Sequence, residues 1–223
     1  MSDNLFQLKR RKEAIESRLA AYGIHDYKIS HLPYLDFSAE EFQTTYDVGC
    51  RILILWITAF LSVRQDAKEK VREWLKAESL WGKVSEKEQK IFSQDMSEKD
   101  LENFYWNIEA AIVLCWTVSL ISTLPTLDKE FTDTDLQDLA AKLPIYKNTE
   151  FFLNSLQFRD REDILMENII NEMITGYLRD RWLSRKKEKL SINPSISFER
   201  HKALNWLRMF SGISEWDETD TST

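Results

Sequence analysis

The chain has 223 residues, of which 43% are hydrophobic and 30% charged, a balance typical of a globular protein and not of a disordered one. Its five glycines and four prolines fall well below the roughly 12% share that these residues usually hold. So few helix breakers predict long helices and disfavour loop-rich β-folds. The formal net charge of −7 disfavours a dedicated nucleic-acid-binding protein and suits a cytoplasmic one.

Helical signals begin near the N-terminus. Leucine and isoleucine recur at helical spacing over residues 5–22, after which 24–37 is expected to be an extended connection. Ser38 with Glu41 forms a capping-box pattern, which predicts a long helix over 39–65. The first helix begins polar and basic, so it does not resemble a signal peptide.

Capping patterns also precede the next helices. Ser85 with Glu88 predicts the start of a short helix, and Ser97 with Asp100 predicts the start of an apolar one over 98–122. Further helices are predicted over 67–80, 132–143, 148–156 and 160–187. A final helix is expected to follow the N-cap asparagine before Pro194 and to close at Gly212.

These elements predict an all-α, single-domain, multi-helix bundle over residues 1–223, with long buried central helices and little or no strand. The acidic segment 214–223 is a candidate flexible tail. The apolar runs 52–63 and 110–124 are shorter than the roughly 18 to 20 residues of a membrane span. Both begin beside a charged residue, so they are interpreted as buried core helices and no membrane contact is expected.

Recognisable catalytic and metal-binding motifs are missing from the sequence. The glycines stand singly, and neither an HExxH nor a GxSxG pattern occurs. His25 and Asp26 resemble the metal-binding pair of helical phosphohydrolases, but no histidine precedes them. Cys50 and Cys115 lie in apolar runs and are interpreted as buried free thiols. No cofactor, metal or catalytic residue is therefore predicted.

Two charged stretches can each be interpreted either as ordinary helix surface or as a functional site. The long helix over 160–187 carries four acidic residues that suit a solvated face better than a di-metal site: Glu162, Asp163, Glu167 and Glu172. Residues 179–189 hold six basic side chains against two acidic ones. A cationic helix C-terminus, which the helix dipole favours, is preferred there to a nucleic-acid contact.

The stretch SFERHKALNWLRMF, residues 197–210, mixes charged and apolar side chains on one helix. At about 100° per residue, Glu199 and Arg200 fall inside its apolar arc, while His201 and Asn205 lie side by side. Ionised groups that face a core need partners, because unpaired burial is costly.

Partner charges for this helix occur in other predicted helices. Arg51 and Glu109 are isolated charges in apolar runs, and Arg179 and Asp180 interrupt a third. We therefore expect a shared ionic network between helices, which fixes their packing. The functional alternative is a polar pocket around Glu109, Arg200 and His201 that binds a ligand or performs acid–base chemistry. The structural interpretation is preferred.

The same residues carry a family resemblance. SFERHKALNWL followed by EWDETDTST resembles the C-terminal signature of a bacterial family, domain of unknown function 4272, with its E-R-H-x-A-L-N-W-L and W-D-x-x-x-T-D-T patterns. A central W-x-x-E-A and a later R-D pair also match, although Asn107 and Ile108 stand where an Arg-Tyr pair is common. The resemblance implies an all-helical cytosolic protein and supplies no activity or cofactor. It marks seven motif positions for testing: Glu199, Arg200, His201, Asn205, Trp206, Trp216 and Asp217.

These observations leave two classes of function. The preferred one is a non-enzymatic protein-interaction module, such as an adaptor or a small acidic partner of the immunity-protein type, because the chain is acidic, holds eight tryptophans and lacks a catalytic set. The alternative is a small-ligand binder or enzyme that uses the polar pocket. The expected partner is another protein, or a second copy in a homodimer, and nucleic-acid binding through 179–189 is disfavoured.

Overall fold

The computed structural model of the protein describes residues 2–27, 29, 41–93, 96–184 and 190–222. Over these ranges the chain forms nine α-helices and no β-strand, which confirms the all-α prediction. The helices are α1 (Ser2–Ala21), α2 (Thr45–Val63), α3 (Lys68–Ala77), α4 (Glu86–Ser93), α5 (Glu98–Thr117), α6 (Asp133–Ala140), α7 (Glu150–Ser155), α8 (Arg161–Leu183) and α9 (Pro194–Leu207).

The centre of the fold is the pair α2 and α5, and α9 packs against both α5 and α8. The main apolar cluster joins α2, α5 and the later part of α9 with the shorter helices, and a second cluster joins α1, α8 and the start of α9. Among the described helices, α2 is long and apolar enough to cross a membrane by length and composition, but most of it is buried inside the protein. Helix α9 therefore stands where the two clusters meet.

Local capping patterns predicted several helix starts correctly. The backbone N–H of Glu88 donates to Ser85 Oγ, and the Ser85 N–H donates to Glu88 Oε2. Ser97 and Asp100 form the same reciprocal pair at the start of α5. Asn193 caps α9 by accepting from the backbone N–H two residues on. These starts depend on side chains close in sequence, which is why the sequence reveals them.

The start of α2 was predicted wrongly. Ser38 and most of the expected connection 24–37 lie outside the described residues, whereas 41–44 are described and are not helical. Thr44 is the N-cap, and its Oγ1 accepts from the backbone N–H of Asp47 at 3.1 Å. Thr44, six residues after Ser38, therefore sets the start of α2.

Three of the long helices end earlier than predicted. Helix α8 stops at Leu183, before the predicted residue 187. Helix α5 stops at Thr117, and Ser119 adopts a left-handed φ of 61°, which ends the helix before the predicted residue 122. Helix α9 stops at Leu207, and Met209 follows with a φ of 48°. Gly212 ends a short 3₁₀ turn that comes later, so it does not close α9. Non-glycine residues in the left-handed region give no sequence signal for these ends.

Candidate functional site

The pair Arg200 and Glu109 ties α9 to α5 in the interior. Arg200 donates through Nε and Nη2 to Glu109 Oε2 at 3.2 and 3.0 Å, and through Nη1 to the carbonyl of Pro125 at 2.8 Å. Both charged side chains are only 1% exposed. Burial raises the pKa of Glu109, against the opposing effect of the guanidinium. The pair is closed to solvent and to any ligand.

A chain of amides encloses His201. Asn205 accepts through Oδ1 from Asn168 Nδ2 at 2.8 Å, and its own Nδ2 donates to the Asp220 carbonyl and to His201 Nε2, each at 2.9 Å. The amide orientations assign Nε2 as an acceptor, which places the proton of the neutral ring on Nδ1, an atom enclosed without a hydrogen-bond partner among the described residues. Burial lowers the pKa of His201 to about 4. The imidazole is therefore neutral at physiological pH.

This burial makes a pH-dependent stability prediction. The unfolded state binds a proton on His201 below about pH 6.5, whereas the folded state binds it only below about pH 4. Stability is thus retained above pH 6.5 and falls as the pH drops to 4, by about 3 kcal/mol in total from this residue. Urea unfolding of the wild type and of His201→Gln between pH 7.5 and 4 tests this: over that range the wild type should lose about 3 kcal/mol more stability than the variant.

The exposed His25 supplies a matched control, because His25→Gln should retain the wild-type pH dependence. Burial raises the pKa values of Glu109 and Glu199, so these two carboxyls add stability as the pH falls. They do so equally in the wild type and in His201→Gln, and therefore cancel in the comparison. Equal pH dependence in the wild type and His201→Gln would contradict the neutral, buried imidazole.

Arg51 lies in a second buried site, near the C-terminal end of α9. Its Nη1 donates to Glu88 Oε2 at 2.8 Å and its Nη2 donates to the Lys83 carbonyl at 2.9 Å. The guanidinium carbon lies 5.7 Å from the ring centroid of Trp206 and 5.1 Å from that of Trp216. A carboxylate and two indole faces thus stabilise the cation.

The acidic tail, for which the sequence allows flexibility, is hydrogen-bonded to the body of the protein. Asp217 accepts from Ser85 Oγ at 2.8 Å and from the backbone N–H of Lys87 at 2.9 Å, which caps α4. The indole N–H of Trp206 donates to the Ser214 carbonyl at 2.9 Å. The motif residues Trp206 and Asp217 therefore help to hold the acidic tail against the rest of the protein.

The predicted shared network is in fact two separate ion pairs. Arg200 pairs with Glu109, while Arg51 pairs with Glu88, which the sequence analysis did not single out as a partner. Glu88 was recognised only as a capping residue, although its carboxylate serves both the cap and the arginine. One carboxylate in two roles is difficult to recognise from local sequence.

The remaining predicted members lie apart from these pairs. Arg179 donates through Nη2 to the Thr221 carbonyl at 2.9 Å, so it also holds the tail. Asp180 is exposed on α8 and belongs to neither pair. Glu199 is half-buried, and its Oε2 is enclosed without a hydrogen-bond partner in the described part of the chain. Burial raises the pKa of this carboxyl.

The acidic residues of α8 form the expected solvated face only in part: Glu162 and Asp163 are exposed, Glu172 is partly buried and Glu167 is buried. Glu162 accepts from Arg11 at 3.0 Å, and Glu167, which is buried, accepts from Arg18 at 2.7 Å. Helix α1 is therefore held to α8 by ion pairs. Within the described ranges no group of three His, Cys, Asp or Glu side chains is arranged to hold a metal ion.

The polar pocket predicted around Glu109, Arg200 and His201 is not present, because all three side chains are at most 1% exposed. A groove of about 560 Å³ lies instead over the first turns of α9, between the N-terminal half of α5 and the C-terminal half of α8. We call it the α5–α8–α9 groove. Its walls include Trp106, Leu178, Arg179, Trp182, Phe198 and Glu199.

Comparison with known protein families matches residues 11–219 to the family described as "Domain of unknown function (DUF4272)". The chain belongs to the DUF4272 family. No curated protein and no solved structure matches it.

Three of the residues through which this sequence resembles the DUF4272 family meet at the groove. Trp106 comes from the W-x-x-E-A segment of α5, Arg179 from the R-D pair of α8 and Glu199 from the E-R-H segment of α9. Sequence patterns so far apart gave no indication that they share one surface. The groove therefore brings three of these residues to one accessible surface, whereas Glu109, Arg200 and His201 are buried.

Proposed function

We propose that this DUF4272 protein is a non-enzymatic, cytoplasmic protein-interaction module, and that an apolar segment of a partner protein binds in the α5–α8–α9 groove. The observation that carries the proposal is the exposure of large apolar side chains along this groove. Trp182 is 79% exposed and Phe198 39%, and both line the groove. Contiguous exposed apolar side chains of this kind are typical of binding surfaces.

The buried titratable groups support binding in preference to catalysis. A general base or acid must reach the proton that it transfers. Glu109 and His201 are enclosed, and the Nε2 of His201 is occupied by Asn205. The thiol of Cys50 is buried and has a pKa raised to about 11 by burial, which makes it a poor nucleophile.

The basic stretch 179–189 gives little support to nucleic-acid binding. Arg179 is bonded to the tail, and Arg181 is only 6% exposed and donates to the Tyr177 hydroxyl at 3.0 Å. Both guanidinium groups are thus used inside the protein. Residues 185–189 lie outside the described part of the chain.

Site-specific photo-crosslinking tests the proposed surface. A photoreactive phenylalanine analogue at position 182 should crosslink one partner in host lysate, whereas the same analogue at position 151 should not. Phe151 is the matched control because it is 84% exposed on α7, away from the groove. The partner identified should then bind the purified wild type and Phe151→Ser equally, and bind Trp182→Ser and Phe198→Ser at least tenfold more weakly.

Three results would overturn the proposal: no crosslink at position 182, a crosslink only to a second copy of the chain, or equal weakening by Phe151→Ser. The second result would identify the groove as a homodimer interface. Because the side chains at 151, 182 and 198 all contact solvent, loss of folding is not expected to confuse the comparison.

A further inference from the structure

Glu199 is an acidic group that neither buried ion pair uses. Arg200, its neighbour in sequence, is fully engaged by Glu109 and the Pro125 carbonyl. Glu199 Oε2 is enclosed yet accepts no hydrogen bond from the described residues. A buried carboxyl oxygen without a donor is costly. Glu199 as a whole is half-buried and lines the groove, so a rotation of its carboxyl would bring this oxygen to a donor that enters the groove.

None of the described charged groups around Glu199 donates a hydrogen bond to its Oε2. Lys202, one turn later on α9, favours the ionised carboxyl, and its Nζ lies 4.4 Å from the ring centroid of Trp216. Glu109, on α5, has the opposite effect because its charge repels that of Glu199. From α8, Arg179 donates to the tail carbonyl of Thr221. A further cation would therefore stabilise the site.

The groove walls suit a cation that carries an apolar stem. Indole and phenyl faces attract ammonium and guanidinium groups through their quadrupoles. Trp106, Trp182 and Phe198 line the groove from three different helices, and Leu178 adds an apolar side chain beside them. The combination of a carboxyl oxygen that lacks a donor with aromatic walls distinguishes this groove from a purely apolar one.

We propose that the α5–α8–α9 groove binds a basic side chain of the partner segment, with Glu199 as its counter-ion and Trp106, Trp182 and Phe198 around its stem. This inference rests on the proposed function, since it names the chemistry of the partner at the same surface. An aliphatic cation of lysine length is the simplest chemical equivalent of such a side chain.

Binding of three small probes tests this inference without knowledge of the partner. Hexylammonium, hexanol and hexanoate share an alkyl chain and differ in charge, and their binding is followed at the Trp182 indole N–H by NMR, with Trp182→Phe to assign the signal. The wild type should bind hexylammonium at least tenfold more tightly than hexanol and should bind hexanoate most weakly. Glu199→Gln should bind hexylammonium and hexanol with equal affinity.

Glu102→Gln provides the charge-matched control, because Glu102 is exposed on α5 and does not line the groove. It should keep the wild-type preference. Equal wild-type binding of hexylammonium and hexanol would overturn the inference even if Glu199→Gln failed to fold, and so would a tenfold preference that survives in Glu199→Gln.

A crosslinked partner without any cation preference would leave the interaction surface in place and refute only the cation site. A cation preference without a protein partner would refute the interaction role and retain Glu199 as a small-cation site.

Discussion

Replacing Arg200 by methionine is expected to lower the free energy of unfolding by about 3 to 5 kcal/mol, because it leaves Glu109 buried without its partner. Both side chains are 1% exposed, so water cannot take the place of the lost donors. The carbonyl of Pro125 also loses the donor that it has in Arg200 Nη1. Removing one partner of an exposed ion pair with the same N–O distance would not lower the free energy of unfolding by this amount.

Urea unfolding of Arg200→Met, Glu109→Leu and the double variant measures the coupling between the two residues. The double variant should be more stable than Arg200→Met alone, since it no longer buries an unpaired carboxyl. Arg64→Met is the control, because Arg64 and Asp66 form a pair whose side chains are 58% and 68% exposed. A loss below about 1 kcal/mol in Arg200→Met, equal to that of the control, would contradict a tightly packed pair.

The sequence predicted the helices better than the contacts between them. Capping residues such as Ser97 and Asp100 bond to each other within one turn, so their pattern fixes a boundary locally. The i, i+4 contact of His201 with Asn205 was also predictable from helical spacing. Which charge meets Arg51 depends on how α4 lies against α2, and no local pattern specifies that arrangement.

The predicted pocket was misplaced for a related reason. A helical wheel gives the direction of a side chain but not what covers it. Arg200 pairs with Glu109 of α5 and His201 is linked through Asn205 to Asn168 of α8, and packing covers both, whereas Glu199 lines the groove between α5 and α8. The groove joins distant parts of the sequence, since Trp106 lies more than 70 positions before Trp182 and Phe198.

The acidic tail is a second place where the sequence did not reveal which residues are buried. Composition marks residues 214–222 as acidic and polar, which is typical of a free end. In the structure one buried aromatic ring and a few backbone acceptors hold it: Trp216 is 3% exposed, and the carbonyls of Ser214, Asp220 and Thr221 accept side-chain donors. A single apolar residue inside a polar segment was therefore the available signal.

Replacing Trp216 by alanine should consequently be among the most damaging single changes, at about 3 to 5 kcal/mol of unfolding free energy. The indole packs edge-to-face on Trp206 at 5.8 Å between centroids, and Arg51 and Lys202 lie over its ring at 5.1 and 4.4 Å. Its removal leaves a cavity beside the buried guanidinium. It also frees Asp217 from the N-terminus of α4.

Two measurements distinguish the role of Trp216 in holding the tail from a general loss of packing. Urea unfolding gives the total cost, and amide hydrogen exchange reports the N-terminus of α4, where the Lys87 N–H bonds to Asp217. Trp216→Ala should accelerate exchange there more than in α8. Trp182→Ala, which truncates an indole that is 79% exposed, should change stability by no more than about 0.5 kcal/mol. If both variants cost the same and exchange in α4 is unchanged, Trp216 does not anchor the tail and the cap on α4 is independent of it.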